Sequence, residues 1–366
     1  MVVEQLWQPV PGGSGTYVIE LARALRERGC RVVGLAAAHA SGPSPTEVGL
    51  PSSMRVLSTR LPRPALYESW NLLRRPRAES VLPGAEVVHA TTWAVPGTRL
   101  PLAVTVHDLA FLRSPDHFTR RGNAFFLRCL DRTIAEADVV ITPSQATADD
   151  CVAAGIDARR IEVVPHGVRT LPVSEEQVAA FRAEHGLDGE YVLWTGTREP
   201  RKNLATLLQA FSLLADDDPG LDLVLVGPQG WGDDAEERRV LDELGERVHV
   251  TGRLPEADLA AAYAGARAFC FPSHWEGFGL PVLEAMAHGT PVVTSRGTCM
   301  EEVCGEAGLL ARPTSAAEIA RQLARAVGPA HDELRAAGLE RAAAFTWQAC
   351  AQAHEELYRS LAEDAR

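Results

Sequence analysis

Two carboxylates eight positions apart, Glu276 and Glu284, stand in the stretch His274-Trp275-Glu276-Gly277-Phe278-Gly279-Leu280-Pro281-Val282-Leu283-Glu284-Ala285. The apolar run 268–272 before it reads as a buried strand, and Gly279 followed by Pro281 marks the start of a helix. The spacing places Glu276 in the loop and Glu284 on the helix, in its first turn or just past it. Carboxylates so placed can accept hydrogen bonds from hydroxyls at the two ends of one extended ligand, and sugars and riboses carry such hydroxyls. The N–H groups of Phe278, Gly279 and Leu280 fall at the positive end of the helix, where a phosphate binds.

A basic pair, Arg201-Lys202, lies upstream at a predicted strand-to-helix turn, and Lys202 is the single lysine among 36 basic side chains. Fixed cations at such a turn suit an anionic ligand. If the chemistry releases negative charge onto a phosphate, they stabilise its transition state. A basic turn and a first-turn glutamate are also common solvated features. The complete glycine–proline frame and the position of the lone lysine favour the ligand reading.

These residues need elements to hold them. Short apolar, β-branched runs alternate with helical patterns along the whole chain, which predicts a parallel α/β architecture. Strands are expected at 2–6, 31–35, 55–57, 86–90, 103–107, 139–142 and 161–164. A second set follows at 191–195, 221–226, 248–252, 268–272, 291–294 and 308–311. The polar stretch 169–190 separates the sets, so two Rossmann-like domains are expected rather than one wide sheet. After Gly12-Gly13-Ser14-Gly15, residues Val18, Leu21, Ala22 and Leu25 share a helical face that Gly29 should end. Leu204, Leu207, Leu208, Phe211 and Leu214 form another stripe, with Asn203 expected as its N-cap. Trp347, Cys350, Ala351, His354, Leu357, Tyr358 and Leu361 repeat at helical spacing, so the last segment should dock. Met1 almost falls inside the first predicted strand, which is expected to begin a few residues upstream.

Composition narrows the function. A net charge of -12 disfavours a nucleic-acid binder, which needs a broad basic face. No apolar run approaches the roughly 20 residues that cross a bilayer, and the N-terminus lacks a signal-peptide pattern. Seven scattered cysteines without a C-x-x-C pair argue against a disulfide framework and a zinc site. A reduced, cytoplasmic protein is expected.

Glu276 and Glu284, within E-G-F-G-L-P-x-L-E-A, resemble the E-x7-E motif of retaining GT-B glycosyltransferases (glycosyltransferase family 4). Gly196-Thr197-Arg198-Glu199-Pro200-Arg201-Lys202-Asn203 is similar to the family's basic segment, in a form nearest bacterial mannosyltransferases. Weaker likenesses are the Gly12-Gly13-Ser14-Gly15-Thr16 turn, His107-Asp108-Leu109, Pro165-His166-Gly167-Val168, Thr251-Gly252-Arg253 and Ala307-Gly308-Leu309.

The resemblance implies a GT-B fold, two Rossmann-like domains with parallel sheets facing across a cleft that closes on the donor. An acceptor domain would span 1–170, a donor domain 171–346, and a terminal helix 347–366 would cross back to the first. It implies retaining sugar transfer from a nucleoside-diphosphate sugar, GDP-mannose before UDP-sugars, to a glycan, lipid-linked or small-molecule hydroxyl. Arg201 and Lys202 would hold the diphosphate, Glu284 the ribose and Glu276 the sugar. His107 would contact the sugar near the reacting carbon, Gly12 and Gly13 would approach the phosphates, and Arg253 would lie near the base. Tyr17 is assigned to the acceptor.

No metal or other cofactor is expected, and the D-x-D at Asp216-Asp217-Asp218 reads as a solvated turn. Arg60, Arg63, Arg74, Arg75 and Arg77, among Leu66, Tyr67, Trp70 and Leu72, could grip an acidic acceptor or the inner membrane surface, or form a solvated loop. The alternative is a catalytically silent protein of the same fold that binds a nucleotide sugar or scaffolds a partner.

Overall fold

A computed structural model describes residues 1–39, 43–215, 220–230 and 235–365. The chain divides into two compact units, Met1–Gly167 with Thr346–Arg366, and Val168–Phe345. The Asp216-Asp217-Asp218 turn lies outside the described residues.

In the first unit β1 (Val33–Ala36) pairs with β2 (Arg55–Ser58). A four-stranded sheet holds β3 (Val88–Ala90), β4 (Leu102–Thr105), β5 (Val139–Thr142) and β6 (Ile161–Val163) in that order. All pairs are parallel. The strand expected at 2–6 is reduced to a parallel bridge between Val2 and Leu35, with the Val2 N–H donating to the His89 carbonyl at 2.8 Å. The chain then winds into a 3-10 turn, Glu4–Trp7. Glu4 causes the departure. It is buried, and its carboxylate takes the Ala37 N–H at 2.7 Å and contacts His39 Nε2 at 2.9 Å.

The glycine-rich segment is the opening of a helix, Gly12–Glu27, rather than a loop before one. Tyr17, Val18, Leu21, Ala22 and Leu25 are buried on one side of it, and their packing outweighs the poor helix propensity of the glycines. Gly29, at φ 86°, turns the chain back, its N–H donating to Arg26 O at 2.9 Å. The terminal helix, Trp347–Asp364, starts with Thr346 capping the Ala349 N–H at 3.1 Å. Trp347, Cys350 and Ala351 lie in the same apolar cluster as Tyr17, Leu21 and Leu25.

The second unit is an unbroken parallel sheet of six strands. They are β7 (Tyr191–Thr195), β8 (Asp222–Val226), β9 (Val248–Gly252), β10 (Ala268–Phe271), β11 (Val292–Ser295) and β12 (Gly308–Ala311). The spatial order is β12-β11-β10-β7-β8-β9. Every residue of β7, β10 and β11 is buried, as expected for interior parallel strands covered on both faces. Chain order reverses between β7 and β10, the Rossmann arrangement. The carboxyl ends of these two strands therefore border the switch-point crevice where such sheets bind ligands.

Candidate active site

Arg201 and Lys202 follow β7, and Glu276 follows β10, so the topology places all three at that switch point. Backbone ties hold the two turns together. The His274 N–H donates to Arg201 O at 2.9 Å. Asn203, expected as an N-cap, sits at φ 57° and uses its side-chain amide as a brace. Nδ2 donates to Pro272 O at 2.8 Å and Pro313 O at 2.7 Å, while Oδ1 accepts from the Thr206 hydroxyl at 2.7 Å. The turn after β8 presses equally close, since a Cβ on Gly227 would lie 1.9 Å from Gly196 O.

Lys202 Nζ lies 2.6 Å from Glu276 Oε1 and 4.7 Å from the centre of the Phe271 ring. Arg201 bonds the other oxygen, Oε2, and also Glu199, with its guanidinium 4.8 Å from the Trp275 ring centre. The Glu276 side chain is only 11% exposed. Burial pushes its carboxyl upward, but the charges and hydrogen bonds of Lys202 and Arg201 outweigh this and hold it below the ordinary carboxylate range.

Glu284 lies on the helix Leu280–Ala287 and is half-buried. The Tyr263 hydroxyl donates to its Oε2 at 3.0 Å, and burial raises its pKa. Gly279 caps the helix at φ 97°, where a Cβ would meet Met300 at 2.8 Å. Phe278 and Gly279 are buried and Leu280 half-buried. The Phe278 ring faces inward against Phe345, 6.1 Å between centres. Arg253 is exposed just past β9, two strands from β7, and makes no ion pair or hydrogen bond to a described residue.

The remaining candidates belong to the first unit. Gly12 and Gly13 are exposed at the start of their helix. His107 is half-buried just after β4, with Nε2 2.9 Å from Thr91 O, which assigns the proton to Nε2 and leaves Nδ1 an acceptor. Burial lowers its pKa, so the ring is neutral near pH 7. Tyr17 packs edge-on against His107 at 4.9 Å, but it is fully buried. Its hydroxyl is engaged by Thr105 Oγ1 and His354 Nε2, each at 2.8 Å, which overturns its assignment to the acceptor. Arg74 also turns inward, to Glu136 and to the carbonyls of Trp70, Val95 and Pro96. Leu72, Leu73 and Arg75 are exposed beside it.

Sequence reasoning missed three supporting residues. Glu199, which holds Arg201, stood inside the quoted motif and its acidity was the available signal. Tyr263 bonds both Glu284 and Thr195 Oγ1, the latter at 2.9 Å, and stacks on His288 at 5.6 Å. Cys299 Sγ lies 3.0 Å from Glu276 O. Nothing in the spacing announced Tyr263 or Cys299.

The fold and this arrangement of cations and carboxylates define a protein of the GT-B class. Sucrose-phosphate synthase from Thermosynechococcus elongatus superposes with a TM-score of 0.76 at 25% identity over 98% of both chains. Anabaena HepE in complex with UDP-glucose does so with 0.75 at 21% identity, again over 98% of both. Residues 11–170 match the model described as Glycosyltransferase Family 4, and residues 177–339 that of Glycosyl transferases group 1. O-antigen chain mannosyltransferase B from Escherichia coli is 32% identical, covering 84% of this chain and 83% of the relative. D-inositol 3-phosphate glycosyltransferase from Nocardia farcinica is 30% identical over 95% and 84%. The chain belongs to glycosyltransferase family 4.

Proposed function

We propose that the protein transfers a hexose, with retention at the anomeric carbon, from a nucleoside-diphosphate sugar to an acceptor hydroxyl. The observation that carries this reading is the grouping of Arg201, Lys202 and Glu276 at the β7–β10 switch point in a chain of this family. The two cations would bind the diphosphate and stabilise the charge that grows on it as the sugar–phosphate bond breaks. The reading therefore assigns no step to a metal. Glu276 would hold the sugar and Glu284 a ribose hydroxyl, while His107 would offer Nδ1 to the sugar. GDP-mannose is the first donor to try, because relatives bear mannosyltransferase names, and UDP-glucose the second, because HepE binds it. The acceptor is a glycan, lipid-linked or small-molecule hydroxyl. Exposed Leu72, Leu73 and Arg75 would suit peripheral contact with an anionic membrane.

Thermal unfolding with GDP, UDP, ADP and dTDP in turn tests the donor site. A ligand at 100 times its dissociation constant adds about 2.7 kcal/mol, which raises the midpoint by a few degrees. Stabilisation by one nucleotide identifies the base, and product NMR with the matching donor then reads the anomeric outcome. No response to any of them sinks the reading and leaves the silent scaffold in its place.

A further inference from the structure

We infer that Glu276 is a built-in competitor for the diphosphate, so that donor binding exchanges one anion for another. The inference rests on the nucleotide-sugar reading above. Its basis is local charge. Arg201 and Lys202 bring two positive charges, and Glu199 and Glu276 bring two negative ones, so the four groups sum to zero. Each oxygen of Glu276 engages one cation, Oε1 with Lys202 and Oε2 with Arg201. The side chains of Glu276, Lys202 and Arg201 are 11, 12 and 18% exposed, so bulk solvent screens them weakly. Among these four groups a diphosphate meets no surplus of positive charge until a carboxylate moves.

Glu276 is the member placed to move. The cations lie against the Trp275 and Phe271 rings, and Arg201 O and the Asn203 side chain anchor their turn to the loop and strand end opposite. Glu276 sits in the loop between β10 and the helix Leu280–Ala287, its backbone carbonyl held by Cys299 Sγ. Its carboxylate is bonded, among the described residues, to Arg201 and Lys202 alone, so the side chain can turn away without unseating the loop. When a nucleotide sugar arrives, its diphosphate takes the cations and its sugar hydroxyls give the displaced carboxylate new partners. The nucleoside diphosphate left after transfer has lost the hexose whose hydroxyls engaged Glu276. Glu276 then has no partner but the cations, and it competes to recover them. The same carboxylate thus favours donor over spent product and assists product release.

Isothermal titration of wild type and Glu276→Gln with inorganic pyrophosphate, GDP and UDP, at constant pH and salt, tests the exchange. Glu276→Gln should bind pyrophosphate and the fitting nucleotide about tenfold more tightly, equivalent to about 1.4 kcal/mol, while turnover is lost. Equal or weaker binding by the variant overturns the exchange, and if wild type still binds GDP or UDP the nucleotide-sugar reading survives that failure. If neither nucleotide binds either protein but pyrophosphate tightens, the exchange stands and the nucleotide-sugar reading falls. Should Glu276→Gln fail to fold, Glu276→Asp, with a shorter reach to the cations, is expected to tighten pyrophosphate binding in the same direction by less.

Discussion

The two units handle their polar side chains in opposite ways. In the second unit charged groups meet at the carboxyl ends of strands, paired with one another and still reachable by solvent. In the first unit, a network of neutral polar groups lies inside, apart from the buried Glu4 carboxylate. Tyr358 contacts His89 at 2.6 Å, His89 contacts Thr105 at 2.7 Å, and Thr105 contacts Tyr17, which reaches His354. His89, Thr105, Tyr17 and His354 are all buried. Burial lowers the pKa of each of these histidines and of His166. A buried charge is costly unless paired, so the interior network stays uncharged while the site at the strand ends can hold ions. The interior network gives shape, and the charged site is the one proposed to bind.

The largest effect should follow from breaking the charged side of this contrast. Lys202→Met removes one of the two cations that the proposed function directs at the leaving group, and kcat should fall by about 100-fold or more. Steady-state rates with the matching donor check this. A loss below tenfold would remove Lys202 from the transition state.

Acid should break the other side. Unfolded histidine takes up its proton near 6.5, whereas folded His354 does so at about 4 because of burial. Below pH 6.5 the unfolded chain binds more protons, so stability falls as pH drops from 6.5 toward 4. His354 alone accounts for a loss on the order of 3 kcal/mol across that window. His89 and His166 act in the same direction. Glu276 is held below the ordinary carboxylate range, and its contribution is lost only at lower pH. Hydrogen exchange at pH 5 should therefore show earlier opening of Tyr17–Leu25 than of Leu204–Phe211. Simultaneous opening would dissolve the contrast.

The smallest predicted effect sharpens it. Tyr263→Phe removes one hydrogen bond to Glu284, worth about 1 kcal/mol. Affinity for the preferred nucleoside diphosphate should fall about fivefold, while its 2′,3′-dideoxy counterpart is unaffected. Equal losses for both would make Tyr263 a packing residue.

Legibility differed between the units for the same physical reason. Residues 191–195, 248–252 and 308–311 could be bounded as strands because apolar, β-branched runs end at turn residues. The stretch around Glu276 was readable because its glycines, prolines and acids lie close together in the chain. Val2–Leu6 looked like a strand by the same rule, but Glu4 folded inward and ended it. The glycines at 12–15 signalled a loop, and the buried face behind them made a helix. Tyr17 was assigned to the acceptor, but Thr105 and His107 and a helix more than 300 residues later in the chain pack against it and help to enclose it. Tyr263 meets Glu284 across a gap of 21 residues through packing of two helices, which no local pattern records.

The lone lysine has a practical consequence. Lys202 carries the chain's single side-chain amine, and that amine rests on Glu276. An acylating reagent selective for lysine can therefore attach to one side chain only. Its rate of attachment becomes a reporter on one ion pair: slow while Glu276 or a phosphate holds the amine, faster when neither does. Mass addition mapped to the Lys202 peptide, apart from the terminal amine, and followed over time with and without nucleotide, would read the occupancy of the site without a coupled assay, a radiolabel or knowledge of the acceptor.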